Sequence, residues 1–178
     1  MKHFIQSVLA AFALMGSISV HAGTQALGFE IGVSSSDQVR SALVKQTKVL
    51  DAGANKFTGG AMLKTDGSSY EIEGLNEVLY IFDDQKKLAG MILGMDKGRF
   101  DSVFQAISGK YKVSSQQRPF VGNQFARFKT QDAVIEMDAP HLGFVMEVRY
   151  IRNDLMQKFN SQTAVEAEAK KKREAAKF

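Results

Sequence analysis

The chain has no cysteine, no tryptophan and only two prolines in 178 residues. Without cysteine there is no disulfide, no thiol nucleophile, no thiolate metal site and no lipid acceptor behind an export signal, so stability must come from packing. Histidine is nearly as scarce, with only His3, His21 and His141. The first two fall in a segment expected to be removed, and one remaining histidine cannot build a multi-histidine metal site. No metal or other cofactor is expected. A Gly-x-Ser-x-Gly elbow, a Walker loop and a dinucleotide-binding glycine fingerprint are all missing, which removes three common enzyme signatures. A large charge of one sign is absent as well. The formal net charge is +4, from 23 Lys and Arg against 19 Asp and Glu. Much of the excess sits in Lys170-Lys171-Lys172-Arg173. A near-neutral body with scattered basic residues is not a nucleic-acid footprint.

What is present starts with an export pattern. Lys2 supplies a positive start and Phe4 to Val20 an apolar stretch. Val20-His21-Ala22 then places small residues at the −3 and −1 sites of a cleavage point. The stretch is short of the roughly 20 apolar residues a spanning helix needs. Residues 1–22 are therefore expected to be a signal peptide cut between Ala22 and Gly23, delivering the protein to a Gram-negative-type periplasm. Membrane contact after removal of the signal is not expected.

The body, 23–159, reads as a single α+β domain. Ser35-Ser36-Asp37-Gln38 has capping-box spacing before Val39, Ala42 and Leu43, which predicts a helix from about Ser36 to Lys45. A second helix carries Phe100, Val103, Phe104 and Ile107 on one stripe and ends at Gly109. Short strands are expected at 47–50, 61–64, 69–72, 78–82, 88–95, 112–115, 124–129, 133–138 and 143–151, with 51–60 a loop. In the last strand Phe144, Met146, Val148 and Tyr150 alternate with Val145, Glu147, Arg149 and Ile151, the pattern of a sheet with one buried face. Phe57 to Ile72 and Phe120 to Ile135 share the same spacing, which points to a tandem repeat over 34–95 and 96–151. The fold class expected is two helices packed on one face of a mainly antiparallel sheet. A charged helical tail, 160–178, closes the chain, opened by Thr163 and Glu166 at capping-box spacing.

The run from Ile31 to Leu43, Ile-Gly-Val-Ser-Ser-Ser-Asp-Gln-Val-Arg-Ser-Ala-Leu, resembles the helix opening of SmpA/OmlA-type proteins, the BamE-like components of outer-membrane assembly. Their fold is related to the tandem helix-plus-sheet modules of β-lactamase inhibitor proteins. The chain differs from that family in lacking a lipid-acceptor cysteine and the usual Gly-x-Pro after the helix. The resemblance implies a fold of this kind and a habit of binding other proteins.

Two sets of residues are candidates for function. Arg127, Glu136, Glu147 and Arg149 fall on the polar phase of neighbouring strands and are expected to form a charged outer face, with Tyr70 and Tyr80 nearby as aromatic anchors for a partner. Asp138 and His141 flank a Pro-containing turn and could form a polar site in which the imidazole acts as a base. The reading favoured is a non-enzymatic periplasmic module that binds another envelope protein. The alternative is a small envelope hydrolase or small-ligand-binding protein using His141 and a nearby carboxylate.

Overall fold

The computed structural model describes residues 23–177. The expected signal, residues 1–22, lies outside the described residues. A two-stranded hairpin opens the fold, β1 (Gln25–Ala26) and β2 (Phe29–Glu30), followed by helix α1 (Ser36–Leu43). Four strands then run as a meander: β3 (Val49–Ala54), β4 (Gly59–Asp66), β5 (Leu75–Asp83) and β6 (Leu88–Asp96). Helix α2 (Phe100–Ser108) precedes a second meander, β7 (Val113–Gln117), β8 (Gln124–Lys129), β9 (Ala133–Ala139) and β10 (Val145–Arg152). Helix α3 (Asn153–Ala175) follows without a break. The eight long strands form one antiparallel sheet in the order β3-β4-β5-β6-β10-β9-β8-β7.

This overturns the expectation of an α+β fold built as two helices packed on a mainly antiparallel sheet with a polar helical tail. Among the described residues there are three α-helices, and the large eight-stranded sheet dominates. Segments 34–95 and 96–151 share this one sheet: β6 pairs with β10 from Gly90–Ile151 to Asp96–Val145. One buried cluster, including Val39, Leu63, Tyr80, Met91, Phe104, Phe128, Met137 and Met146, runs through both segments. Helices α1 and α2 cover this face, with Val39 and Leu43 buried from the first and Phe100, Phe104 and Ile107 from the second. The Ser35 capping box is present as expected, the Gln38 N–H donating to Ser35 Oγ and the Ser35 N–H to Gln38 Oε1.

The opposite face is only partly covered. Ile81, Ala89, Ile151 and Leu155 form a second, smaller cluster there, packed by Phe57, Met62, Ile92 and Met156. Leu155 is the one buried residue of α3. The aromatic rings of Phe57 and Phe159 meet edge to face at 5.4 Å. Helix α3 therefore begins in the body at Asn153, and Thr163 lies inside it rather than at its start.

Two local expectations fail for identifiable reasons. The segment read as a loop after Leu50 continues as β3 to Ala54, because its small residues form a bulged edge strand with Gly53 at φ 81°. The segment read as a strand at 69–72 is instead a single helical turn, Ser68–Tyr70. Asp66 Oδ1 accepts the Ser68 N–H at 2.8 Å and turns the chain there. No described helix is long and apolar enough to cross a membrane.

Candidate functional site

The strand register assembles the expected charged face. Arg127 lies opposite Glu136, and Glu136 opposite Arg149, across β8, β9 and β10. These residues alternate with Ala126, Phe128, Ile135, Met137 and Val148 of the core, so they emerge on the face away from α1 and α2. Arg127 Nε donates to Glu136 Oε1 at 2.9 Å, and its Nη2 bonds the same oxygen. Arg149 Nη2 reaches Glu147 at 2.6 Å and Asp138 at 3.6 Å. Glu136 is buried within this ladder, with a relative exposure of 7 %. The apolar groove beside it, about 320 Å³, is walled by Phe57, Ile92, Ile151, Met156 and Phe159, with Glu136 and Arg149 at its edge.

The tyrosines do not join this ladder, and their expected place beside it is corrected. Tyr80 is in phase with Val78 and Phe82, so it points into the core on the other face and is fully buried. Its hydroxyl pairs with that of Tyr70 at 2.9 Å, and Tyr70 pairs with Thr65 at 2.6 Å. Burial and the Tyr70 contact push the Tyr80 phenol well above its ordinary value. This is a buried hydroxyl relay that satisfies polar atoms.

Asp138 and His141 are not brought together as an acid–base pair. The Asp138 carboxylate faces Arg149. It is the backbone of His141, not its ring, that is held: its N–H donates to Asn123 Oδ1 at 2.7 Å, and its carbonyl accepts from Lys97 Nζ at 3.0 Å. Lys97 Nζ also bonds the Pro140 carbonyl at 2.6 Å. Among the described residues no three His, Asp or Glu side chains converge as a metal site requires.

Those same bonds pin down a feature the sequence reading missed. The β7–β8 loop and the β9–β10 loop lie side by side at one end of the sheet, since Gln124 pairs with Ala139. The Asn123–His141 bond ties them together. At their tips Phe120, Leu142 and Phe144 are 103 %, 91 % and 90 % exposed, with Val121 and Val145 also exposed beside them. Two open depressions flank the tips, one against Phe120 and one against Phe144, and both are lined by Asp101 and Gln124. Phe144 was expected on the buried phase with Met146, but the pairing of β10 starts at Val145 and the ring overhangs the end of the sheet. The available signal was chemical: Phe120 follows Arg118-Pro119, and Leu142 and Phe144 flank Gly143 after Pro140-His141. Large apolar residues set in turn chemistry have no core to enter.

No family model, curated protein or solved structure matches this chain.

Proposed function

We propose that the chain is an exported, non-enzymatic binding module that grips another envelope protein with the apolar tip formed by Phe120, Leu142 and Phe144. The observation that carries this reading is three large apolar side chains, almost wholly exposed, on two loops fastened to one another. Soluble domains rarely leave such a cluster bare without a use for it, and aromatic anchors dominate binding energy at protein interfaces. The bonds from Asn123 and Lys97 fix the loops before any partner arrives, which lowers the ordering cost of association. The resemblance of residues 31–43 to BamE-like proteins points in the same direction.

A protein partner suits this tip better than a lipid surface. Peripheral membrane binding adds electrostatic attraction to buried apolar area. Here the neighbouring cations are already engaged: Arg118 is paired with Asp101, and Lys97 with two carbonyls. Asp96 and Glu147 are exposed nearby. The test is site-specific photo-crosslinking in cells from position 144, with position 168 on α3 as control. A discrete protein adduct from 144 alone, lost in Phe120→Ser/Leu142→Ser, is the expected result. Identical adducts from both positions, or purified protein floating with anionic lipid vesicles, would remove the reading.

A further inference from the structure

The first described residue sits between two carboxylates, Glu30 and Asp132, that form no ion pair with a basic side chain among the described residues. Gly23 N donates to Glu30 Oε1 at 3.2 Å. Thr24, only 1 % exposed, donates its N–H to Asp132 Oδ2 at 3.0 Å and its hydroxyl to Asp132 Oδ1 at 2.6 Å. A Cβ on Gly23 would run into Glu30 Oε1 and come within 3.2 Å of Asp132 Oδ2, so both carboxylates crowd this one residue. Every ion pair found among the described residues involves other acids. Both carboxylates thus lie beside a residue that, as an amide, offers them a single uncharged N–H donor.

We infer that Glu30 and Asp132 form a binding site for a positively charged α-amino group, namely the one created on Gly23 when the chain is cut after Ala22. This rests on the export reading above. As part of an uncut chain, the Gly23 nitrogen is a neutral amide with a single N–H. Hydrolysis of the Ala22–Gly23 bond adds water, leaves a carboxylate on Ala22 and gives Gly23 an ammonium with three donors. That ammonium offsets one of the two negative charges, and its hydrogen bonds carry charge on the donor as well as on the acceptor.

The surroundings explain how the signal of cleavage would reach the fold. Asp132 lies in the β8–β9 turn, and the Asp132 carbonyl accepts the N–H of Asn153, the first residue of α3, at 3.0 Å. Burial acts to raise the Asp132 carboxyl, but the bonds from Thr24 and Thr130 outweigh it and hold the group below the ordinary carboxylate range. It is therefore ionised at neutral pH. Glu30 ends the β1–β2 hairpin, whose Ile31 N–H returns to the Thr24 carbonyl at 2.9 Å. One charge at residue 23 thus fastens the hairpin, the β8–β9 turn and the root of α3.

The experiment uses the full chain exported and processed in cells, with the intact mass giving the first residue. Trace acylation across pH then reports the titration of the α-amino group. The titratable groups facing it are Glu30 on β2, Asp132 on the β8–β9 turn and the Tyr111 hydroxyl beside Gln25. A chain beginning at Gly23 should show an amine titrating above the usual range of about 7.7–8.0. Its acylation at pH 7 should be about tenfold slower than that of an exposed glycyl amine, and Glu30→Gln should restore most of the rate. Because a raised folded value stabilises at low pH, the melting temperature should fall as pH rises through it, and less so in Glu30→Gln. A Gly23 start with ordinary reactivity, or no change in Glu30→Gln, overturns the clamp and leaves the export reading standing. A start at Met1 overturns both.

Discussion

The two ends of the large sheet treat the same kinds of residue in opposite ways. At one end, where α3 begins, aromatic rings pack on one another: Phe57 meets the half-exposed Phe159, and Phe29 packs edge to face on the buried Tyr80 at 5.9 Å. Charges there are matched as well, with Arg152 bridging Asp83 at 2.7 Å and Asp154 at 2.6 Å. At the other end Phe120 and Phe144 stand almost wholly in solvent while the backbone beneath them is bonded in place. A loop that was merely unpacked would lack those bonds. Firm backbone under bare apolar side chains is what a preorganised contact surface needs.

The largest expected contrast is between two phenylalanines on either side of this division. Phe104 is buried, in contact with the Phe100 and Phe128 rings and with the Arg118 guanidinium 4.4 Å from its centroid. Phe104→Ala should cost roughly 3–5 kcal/mol in a denaturant melt. Phe144→Ser should change stability by no more than about 0.5 kcal/mol, as surface substitutions do, yet weaken partner binding by about 30-fold if the ring is a hot spot worth roughly 2 kcal/mol. Equal stability losses for the two would erase the difference between the ends.

A smaller effect is expected at the matched charges. Hydrogen bonding from Arg152 is the main cause that holds the Asp154 carboxyl below its usual range. For Asp83, burial acts upward and is outweighed by bonds from the Lys87 N–H, Arg152 and the Gln85 N–H. Arg152→Met should therefore cost about 1–3 kcal/mol at pH 7 by leaving charged groups without their partner. Carboxyls depressed in the folded state contribute stability above their unfolded value and lose it as pH falls through the folded one. The gap between wild type and Arg152→Met should accordingly be constant near neutrality and close below about pH 4. A gap that persisted undiminished at pH 2 would mean the arginine acts through packing of its stem.

How much of this was legible depended on whether a residue's fate was set locally or by where the sheet ends. The Ser35–Gln38 box and the Phe100-Phe104-Ile107 stripe are local codes, and both are realised. The ladder from Arg127 to Arg149 was legible because alternation along β8, β9 and β10 carries it. Tyr80 was misplaced because its phase had to be counted against Val78 and Phe82, and short apolar strands buried on both faces give no alternation to count. Phe144 keeps the phase of Met146, but pairing stops one residue later along β10, and nothing in the local pattern marks that edge. The Gly23 site joins residues 23, 30 and 132, a distance no spacing rule covers.

The least perturbing change expected is removal of most of α3, and it sharpens the comparison from the covered end. Helix α3 is rooted by Leu155, by Phe159 against Phe57 and by the Asn153 N–H to the Asp132 carbonyl. Beyond Asn160 every described residue is exposed. The one described bridge from that stretch back to the sheet is Glu166 to Lys56 at 3.7 Å, between side chains about 60 % exposed. Such a bridge contributes about 0–1 kcal/mol and is screened by salt. A chain ending at Asn160 should therefore melt within a few degrees of the full protein, and 1 M salt should close most of that difference. Leu155→Ala, in contrast, removes a side chain that plugs the second cluster and should cost roughly 2–5 kcal/mol. If truncation proved as damaging as Leu155→Ala, the outer turns of α3 would have to pack on the groove beside Glu136, and the open part of that face would be smaller than the contacts of Leu155 and Phe159 indicate.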